Sequence, residues 1–290
     1  MAAGGDLDEL AALLSDGGVV VLSGAGLSTE SGIPDYRGPS GALRRSLPMT
    51  YQTFVADPAA RQRYWARSQL GWRRITSARP NSGHEAVTAL QMAGLLDGVL
   101  TQNVDGLHTA AGTGDVVELH GNLSLVRCLG CGSRTPREAL DQLLRAANPN
   151  WQAVATAVNP DGDVTLAEED VLRFQVVDCP RCGGLLKPDV VFFGENVPPP
   201  KVAQAYGHVD GSRALLVLGS SLKVMSGMRF VKRAVAKGLP VAIVNQGWTR
   251  GDDLATLRID APLGRTLTSL ARCLWTTGTA VTPERAASSA

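Results

Sequence analysis

No apolar run in this 290-residue chain approaches the roughly 18 residues that a membrane-spanning helix needs, so no membrane partner is expected. The opening residues Met1–Asp6 hold neither a charged segment nor an apolar core, and they are too acidic for a transit peptide, which sets a cytoplasmic expectation. An excess of one charge sign is missing as well. The 28 Lys and Arg against 27 Asp and Glu leave +1, with no basic stripe, which argues against a nucleic-acid partner. There are no internal repeats. Histidine is scarce, with four in all, so a base that titrates near neutral pH must come from a short list. Cysteine is scarce too, with five, but four of them form two pairs. The length suffices for one large domain with its own core plus a smaller module.

Those pairs are Cys128-x-x-Cys131-Gly and Cys179-x-x-Cys182-Gly. Four soft thiolates in two tight turns match the tetrahedral preference of Zn²⁺. Disulfides, a redox Cys-x-x-Cys and chance are the competing readings. With neither a secretory signal nor a thioredoxin-like context, zinc is preferred. Four protein ligands leave no place for a catalytic water, so the expected ion is structural. Cys273 has no evident partner and reads as a buried thiol.

The run Val19–Leu22 reads as a buried parallel strand that feeds Ser23-Gly24-Ala25-Gly26-Leu27-Ser28-Thr29-Glu30-Ser31-Gly32. Glycines at a strand end let amides approach a phosphate. The third glycine of the dinucleotide fingerprint falls at Thr29, and Arg44 and Arg45 stand where an acidic residue is expected. An ordinary dehydrogenase is therefore disfavoured. On this segment alone, a glycine-rich loop without a ligand stays open.

The segment extends through Ile33-Pro34-Asp35-Tyr36-Arg37-Gly38, and as a whole it resembles the signature of the sirtuins, the NAD-dependent protein deacylases. Thr101-Gln102-Asn103-Val104-Asp105-Gly106-Leu107-His108 resembles their second motif, and Glu118-Leu119-His120-Gly121 their catalytic-histidine motif. Gly219-Ser220-Ser221 and Asn245-Gln246-Gly247 resemble later cofactor loops. The matches run in family order across about residues 15 to 270. The chain is most similar to the class II branch, through Pro34–Arg37, Arg61–Arg67 and Lys187–Gly194. Tyr36 departs from the Phe that many members carry.

Strand-like runs at Val99–Thr101, Val116–Leu119, Leu215–Leu218 and Val241–Val244 alternate with helical stretches, among them 84–95 and 227–237. The alternation predicts a Rossmann-like α/β fold, a doubly wound parallel sheet with a smaller zinc-binding module and a helical insertion. The expected divisions are 1–35, 83–124 and 188–275 for the NAD-binding domain, 36–82 for the helical insertion, 125–187 for the zinc module and 276–290 for a flexible tail. Asp6 is expected to cap a helix through Leu14. Thr135–Glu138 reads as a capping box with Pro136 at N1, Thr165–Glu168 as a second cap, and 159–163 as a turn. The motif residues each follow an apolar strand, which gathers them at one sheet edge.

The resemblance implies that an acylated lysine on a protein passes its acyl group to NAD, yielding nicotinamide, O-acyl-ADP-ribose and free lysine. It makes His120 the general base and has Asn103 orient a water and the ribose. Ile33 and Asp105 would hold the nicotinamide carboxamide. Contacts to the rest of the cofactor would come from Gly24, Ala25, Gly26, Ser28, Thr29, Pro34, Asp35, Tyr36, Arg37, Gln102, Val104, Gly219, Ser220, Ser221, Asn245, Gln246, Gly247 and Leu263. Val191, Phe192, Phe193 and Gly194 resemble the strand that pairs with substrate backbone. Tyr64 and Arg67, three apart on an expected helix, resemble the pair that reads an acidic acyl chain in the desuccinylase branch; an exposed helix face is the competing reading. His84 and His108 are expected to be structural, and His208 exposed. Protein mono-ADP-ribosyl transfer, a non-catalytic NAD-sensing module and a zinc-ribbon adaptor are the alternative functions.

Overall fold

Strands β1 (Val19–Ser23), β2 (Leu96–Thr101) and β3 (Val116–Glu118) come first in the chain. A small group follows, β4 (Gly121–Cys128), β5 (Arg134–Pro136) and β6 (Leu186–Val190), and then β7 (Ala214–Leu218), β8 (Val241–Val244) and β9 (Leu257–Ile259). The computed structural model describes residues 4–35, 49–154 and 164–276. Tyr36 and Arg37, the turn at 159–163 and the tail beyond Thr276 lie outside the described residues.

Six strands form one parallel sheet in the order β3-β2-β1-β7-β8-β9. The chain builds outward from β1, then crosses back to lay β7 on its other side. That reversal opens a crevice at the carboxyl ends of β1 and β7, where doubly wound sheets bind ligands.

The runs are apolar throughout because both faces are covered. Val19 and Val21 pack with α1 (Gly4–Leu14), α4 (Ser82–Met92) and α10 (Leu263–Thr276). Val20 and Leu22 pack with α8 (Pro199–Gly211) and α9 (Met225–Ala236). The expected doubly wound sheet is what forms.

The inserted segments share a third core. Helices α2 (Tyr51–Ala56) and α3 (Pro58–Ser77) bring Phe54, Trp65 and Trp72 against Val126 of β4 and Leu140 and Leu144 of α6 (Arg137–Ala147). Arg137 ties the two. It is 1% exposed, and its guanidinium lies 5.4 Å from the Trp65 ring centre and 5.5 Å from that of Trp72. The two aromatic faces offset part of the cost of burying the charge.

Several local expectations are corrected. Thr135 and Pro136 pair with Val126 and Leu125 in the small sheet, so α6 begins only at Arg137 and there is no capping box. Thr165 does not cap α7 (Glu168–Leu172), because burial of Val164 and Leu166 keeps the chain extended through Ala167. Asp6 lies in the first turn of α1 rather than before it, where its charge still suits the helix dipole. His208 is not exposed. Its side chain is 16% accessible, its Nε2 lies 3.5 Å from Asp115, and it packs over Gly98, where a Cβ would come within 3.0 Å of the ring.

Candidate active site

Each parallel strand ends on a functional segment. After β1 the chain makes a single 3₁₀ turn at Ala25–Leu27, and the Gly26 amide donates to the Gly219 carbonyl after β7 at 2.8 Å. A Cβ on Gly26 would stand 2.9 Å from Gly219 Cα, and one on Gly24 would stand 2.8 Å from Ser220 Cβ. Two strand-end loops therefore touch backbone to backbone, a contact only glycine permits. They form the floor of a cleft of about 440 Å³.

Gly24, Ala25, Gly26 and Ser28 line this cleft, as do Ile33, Pro34 and Asp35 beyond the turn. Gln102, Asn103, Val104 and Asp105 enter from the end of β2, His120 from β3, and Gly219, Ser220 and Ser221 from β7. Asn245 and Gln246 close the far end after β8. The other three stand behind the wall. Thr29 Oγ1 donates to the Gly26 carbonyl at 2.9 Å, the Gly247 amide donates to Asp260, and Leu263 packs in the core beneath Gly219.

Short polar links hold the lining in place. Ser28 Oγ donates to Asp105 Oδ2 at 2.7 Å and accepts from Asn103 Nδ2 at 3.0 Å. Asn103 also donates to the Gly24 carbonyl at 3.1 Å, so the β2 end is locked to the glycine turn. Gln102 Nε2 donates to Ser220 Oγ at 2.8 Å. Beneath them Ser23 Oγ donates to Thr101 and lies 2.9 Å from His108 Nε2. His84 is fully buried, and its Nδ1 accepts the Asn81 amide in the box that starts α4. Both histidines are structural, as expected. Burial, reinforced by His84, lowers His108 to about 3.

His120 is different, because it faces the cleft. Its Nδ1 lies 2.8 Å from the Gln102 carbonyl, which can only accept, so Nδ1 carries the proton. Nε2 is then the basic nitrogen. Burial holds the ring below its ordinary value; the Gln102 carbonyl opposes that shift, and the Lys201 ammonium adds to it. The imidazole is thus neutral at neutral pH, the form a general base requires. Gly121 is required for a reason the sequence did not show. Its φ is +81°, and a Cβ there would lie 2.0 Å from the Asp189 carbonyl of β6.

The segment Val191–Gly194 follows β6 and lines the same cleft. It is not part of a regular strand, but Phe193 forms a parallel bridge with Thr50. The Val191 amide donates to the His120 carbonyl at 2.7 Å, so this segment and the histidine share a backbone contact. Lys187 is 5% exposed, and its Nζ lies 3.0 Å from Glu195 Oε2 and 4.6 Å from the centre of the Phe192 ring. The same carboxylate oxygen accepts the Phe192 amide at 2.7 Å. The ion pair therefore holds Phe192, while the Tyr51 amide donates to the Phe193 carbonyl at 2.9 Å and Gln52 Nε2 to the Gly194 carbonyl at 3.2 Å. Tyr64 of α3 lines the cleft, its ring edge-on to Phe192 at 5.2 Å, whereas Arg67 is not among the lining residues.

The cysteines meet away from the cleft. All four Sγ atoms lie within 4.8 Å of one another, with Cys128 to Cys182 at 3.5 Å and Cys131 to Cys179 at 4.0 Å. Sulfurs about 2.3 Å from a tetrahedral Zn²⁺ stand about 3.8 Å apart, so the four fit zinc. Gly132 and Gly183, directly after the pairs, have φ of +70° and +69°, the left-handed turn that closes each knuckle.

Sequence reasoning missed Ser226 and the Lys187–Glu195 pair. Ser226 Oγ lies 2.8 Å from His120 Nε2, a contact across 106 residues that no local pattern announces. Lys187 was visible only as part of the Lys187–Gly194 motif, and Glu195 lies one residue beyond it.

A glycine turn at the switch point, with a neutral histidine lining the same cleft, defines a nucleotide-binding α/β protein of the doubly wound class. The chain belongs to the Sir2 family, whose model matches residues 24–226. It is 59% identical over 266 residues to NAD-dependent protein deacetylase 1 of Streptomyces coelicolor, covering 92% of this chain and 89% of that one. It is 52% identical over 268 residues to NAD-dependent protein deacetylase 1 of Mycobacterium avium, covering 91% and 94%. Among solved structures it is similar to a Sir2–p53 peptide–NAD⁺ complex, with a TM-score of 0.73, 30% identity, and 94% of this chain and 98% of that chain covered. A Sir2 bound to acetylated peptide gives the same TM-score at 29% identity, covering 94% and 99%.

Proposed function

We propose that this protein removes acyl groups, acetyl or longer, from protein lysines with NAD as co-substrate, releasing nicotinamide, O-acyl-ADP-ribose and free lysine. One observation supports the reading: a neutral His120, protonated on Nδ1, lines the same cleft as the Gly24–Gly26 turn, in a chain of the Sir2 family. When bound, NAD supplies the ribose carbon that receives the acyl oxygen and the nicotinamide that leaves.

The chain's own residues supply the rest. The glycines at 24, 26 and 219 give the two strand-end loops their close approach and leave the space at the sheet edge where a pyrophosphate would sit. Asn103 and Asp105, locked by Ser28, orient the reacting end. His120 Nε2 takes the proton from a ribose hydroxyl. Ile33 and Phe192 keep water from the reacting atoms, and the Val191–Gly194 segment receives the peptide backbone. Four thiolates would hold zinc with no open position, so the metal supports the fold rather than the chemistry. Among the described residues no helix is long and apolar enough to cross a membrane.

The test is incubation with NAD and a panel of acyl-lysine peptides, followed by mass. Equal molar amounts of nicotinamide and deacylated peptide are expected. Nicotinamide release without deacylated peptide would overturn the reading.

A further inference from the structure

The base has a partner that the deacylation reading does not account for. Because Nδ1 of His120 must donate to the Gln102 carbonyl, the group 2.8 Å from Nε2 must itself donate, and that group is the Ser226 hydroxyl. In the resting protein the basic lone pair is therefore already engaged. Ser226 is the second residue of α9, and the sequence Ser226-Gly227 explains how it arrives there. A Cβ on Gly227 would stand 2.6 Å from Gln102 Oε1, so the missing side chain lets the first turn of α9 close on the β2 end and presents Ser226 to the ring. Ser226 also lines the cleft, as does Ser220.

A base whose lone pair is occupied can accept a proton in two ways. The blocking group can move aside, or it can pass the proton on. A hydroxyl both donates and accepts, and this one is half-buried between the ring and the cleft. We propose that Ser226 is the proton relay of His120, standing between Nε2 and the substrate hydroxyl. Ser226 Oγ takes the proton from the ribose hydroxyl while its own proton moves to Nε2. One O–H bond breaks in the ribose and one in Ser226; one O–H bond forms on Ser226 and one N–H bond on His120. The ribose oxygen keeps its electron pair, Ser226 is regenerated, and Nδ1 keeps its proton on the Gln102 carbonyl. This rests on the reading of His120 as the base.

The first test needs no cofactor. Protein labelled with ¹⁵N-histidine is observed by long-range ¹H–¹⁵N correlation, with His120 assigned by its loss in His120→Ala. The Nδ1–H tautomer is expected, and Ser226→Ala should move the Nε2 resonance toward that of a nitrogen without a donor. The second test is single-turnover deacylation. Ser226→Ala should slow it about tenfold, the scale of one hydrogen bond of about 1.4 kcal/mol. Ser226→Thr, which keeps the hydroxyl, should retain the rate. In mixed H₂O and D₂O the wild type should give a curved proton inventory and Ser226→Ala a linear one, and in a His120→Ala background Ser226→Ala should cost nothing. An unmoved Nε2 resonance, or linear inventories in both proteins, overturns the relay while leaving His120 as base. Full activity in His120→Ala overturns both.

Discussion

Replacing Lys187 by Met tests whether one buried ion pair holds Phe192 in the segment proposed to receive the peptide. The methionine fills a similar volume but leaves Glu195 Oε2 with the Phe192 amide as its remaining short partner. Breaking a buried pair by removing one member costs about 3–5 kcal/mol. The Glu195 side chain is 23% exposed and partly rehydrates, so the lower end, about 3 kcal/mol, is expected here. For a domain of this size that corresponds to a fall in Tm of roughly 6–12 °C. The assay pairs denaturant unfolding with steady-state kinetics. KM for the acyl-peptide should rise severalfold while KM for NAD holds, because the contacts of the pair run to Phe192 and not to the glycine turn. Lys187→Met combined with Glu195→Gln should recover part of the stability, since no unpaired charge remains. A Lys187→Met protein with unchanged midpoint and unchanged peptide KM would refute the reasoning.

Other outcomes follow from the same geometry. His108 is lowered from 6.5 to about 3, so the unfolded chain binds a proton that the folded chain refuses between those values, and stability falls as pH drops through that window. The loss from this group is about 1.4 kcal/mol per pH unit, and denaturant midpoints at pH 7 and pH 5 should show a shallower fall in His108→Gln than in the wild type. Cys128→Ser should abolish stoichiometric zinc in elemental analysis and lower Tm, because thiolate binding contributes on the order of 10 kcal/mol to folding in structural sites. Well-folded, active protein without zinc would contradict that account. Asn103→Ala should reduce deacylation more than it weakens NAD binding, measured by turnover and by calorimetry, because its proposed role is to orient the reacting end of the cofactor rather than to hold the pyrophosphate.

The large sheet was legible because its strands are buried on both faces. Val19–Leu22, Leu215–Leu218 and Val241–Val244 read as continuous apolar runs for that reason. The small sheet was not. β4 alternates buried and exposed positions, β5 is three exposed residues, and β6 pairs from about 60 residues away. Thr135 illustrates the cost: a sound local capping pattern lost to strand pairing that only the fold reveals. Within the site, the glycine turn, Asn103 and His120 carried their chemistry in their residue types and order. Ser226 did not, because a serine before a glycine at the start of a helix looks like an ordinary first turn. His208 looked exposed on a polar helix until Gly98 made room for it against β2.

The central claim is that His120 is the base of an NAD-dependent deacylation, and one comparison tests it directly. Wild-type and His120→Ala proteins are incubated with adenine-labelled NAD and an acetyl-lysine peptide, and all products are followed by mass and by label. The wild type should place the label in soluble O-acetyl-ADP-ribose, and His120→Ala should be slower by about two to four orders of magnitude while still binding NAD. Near-wild-type turnover in His120→Ala, or label retained on protein instead of in the soluble product, would contradict the account.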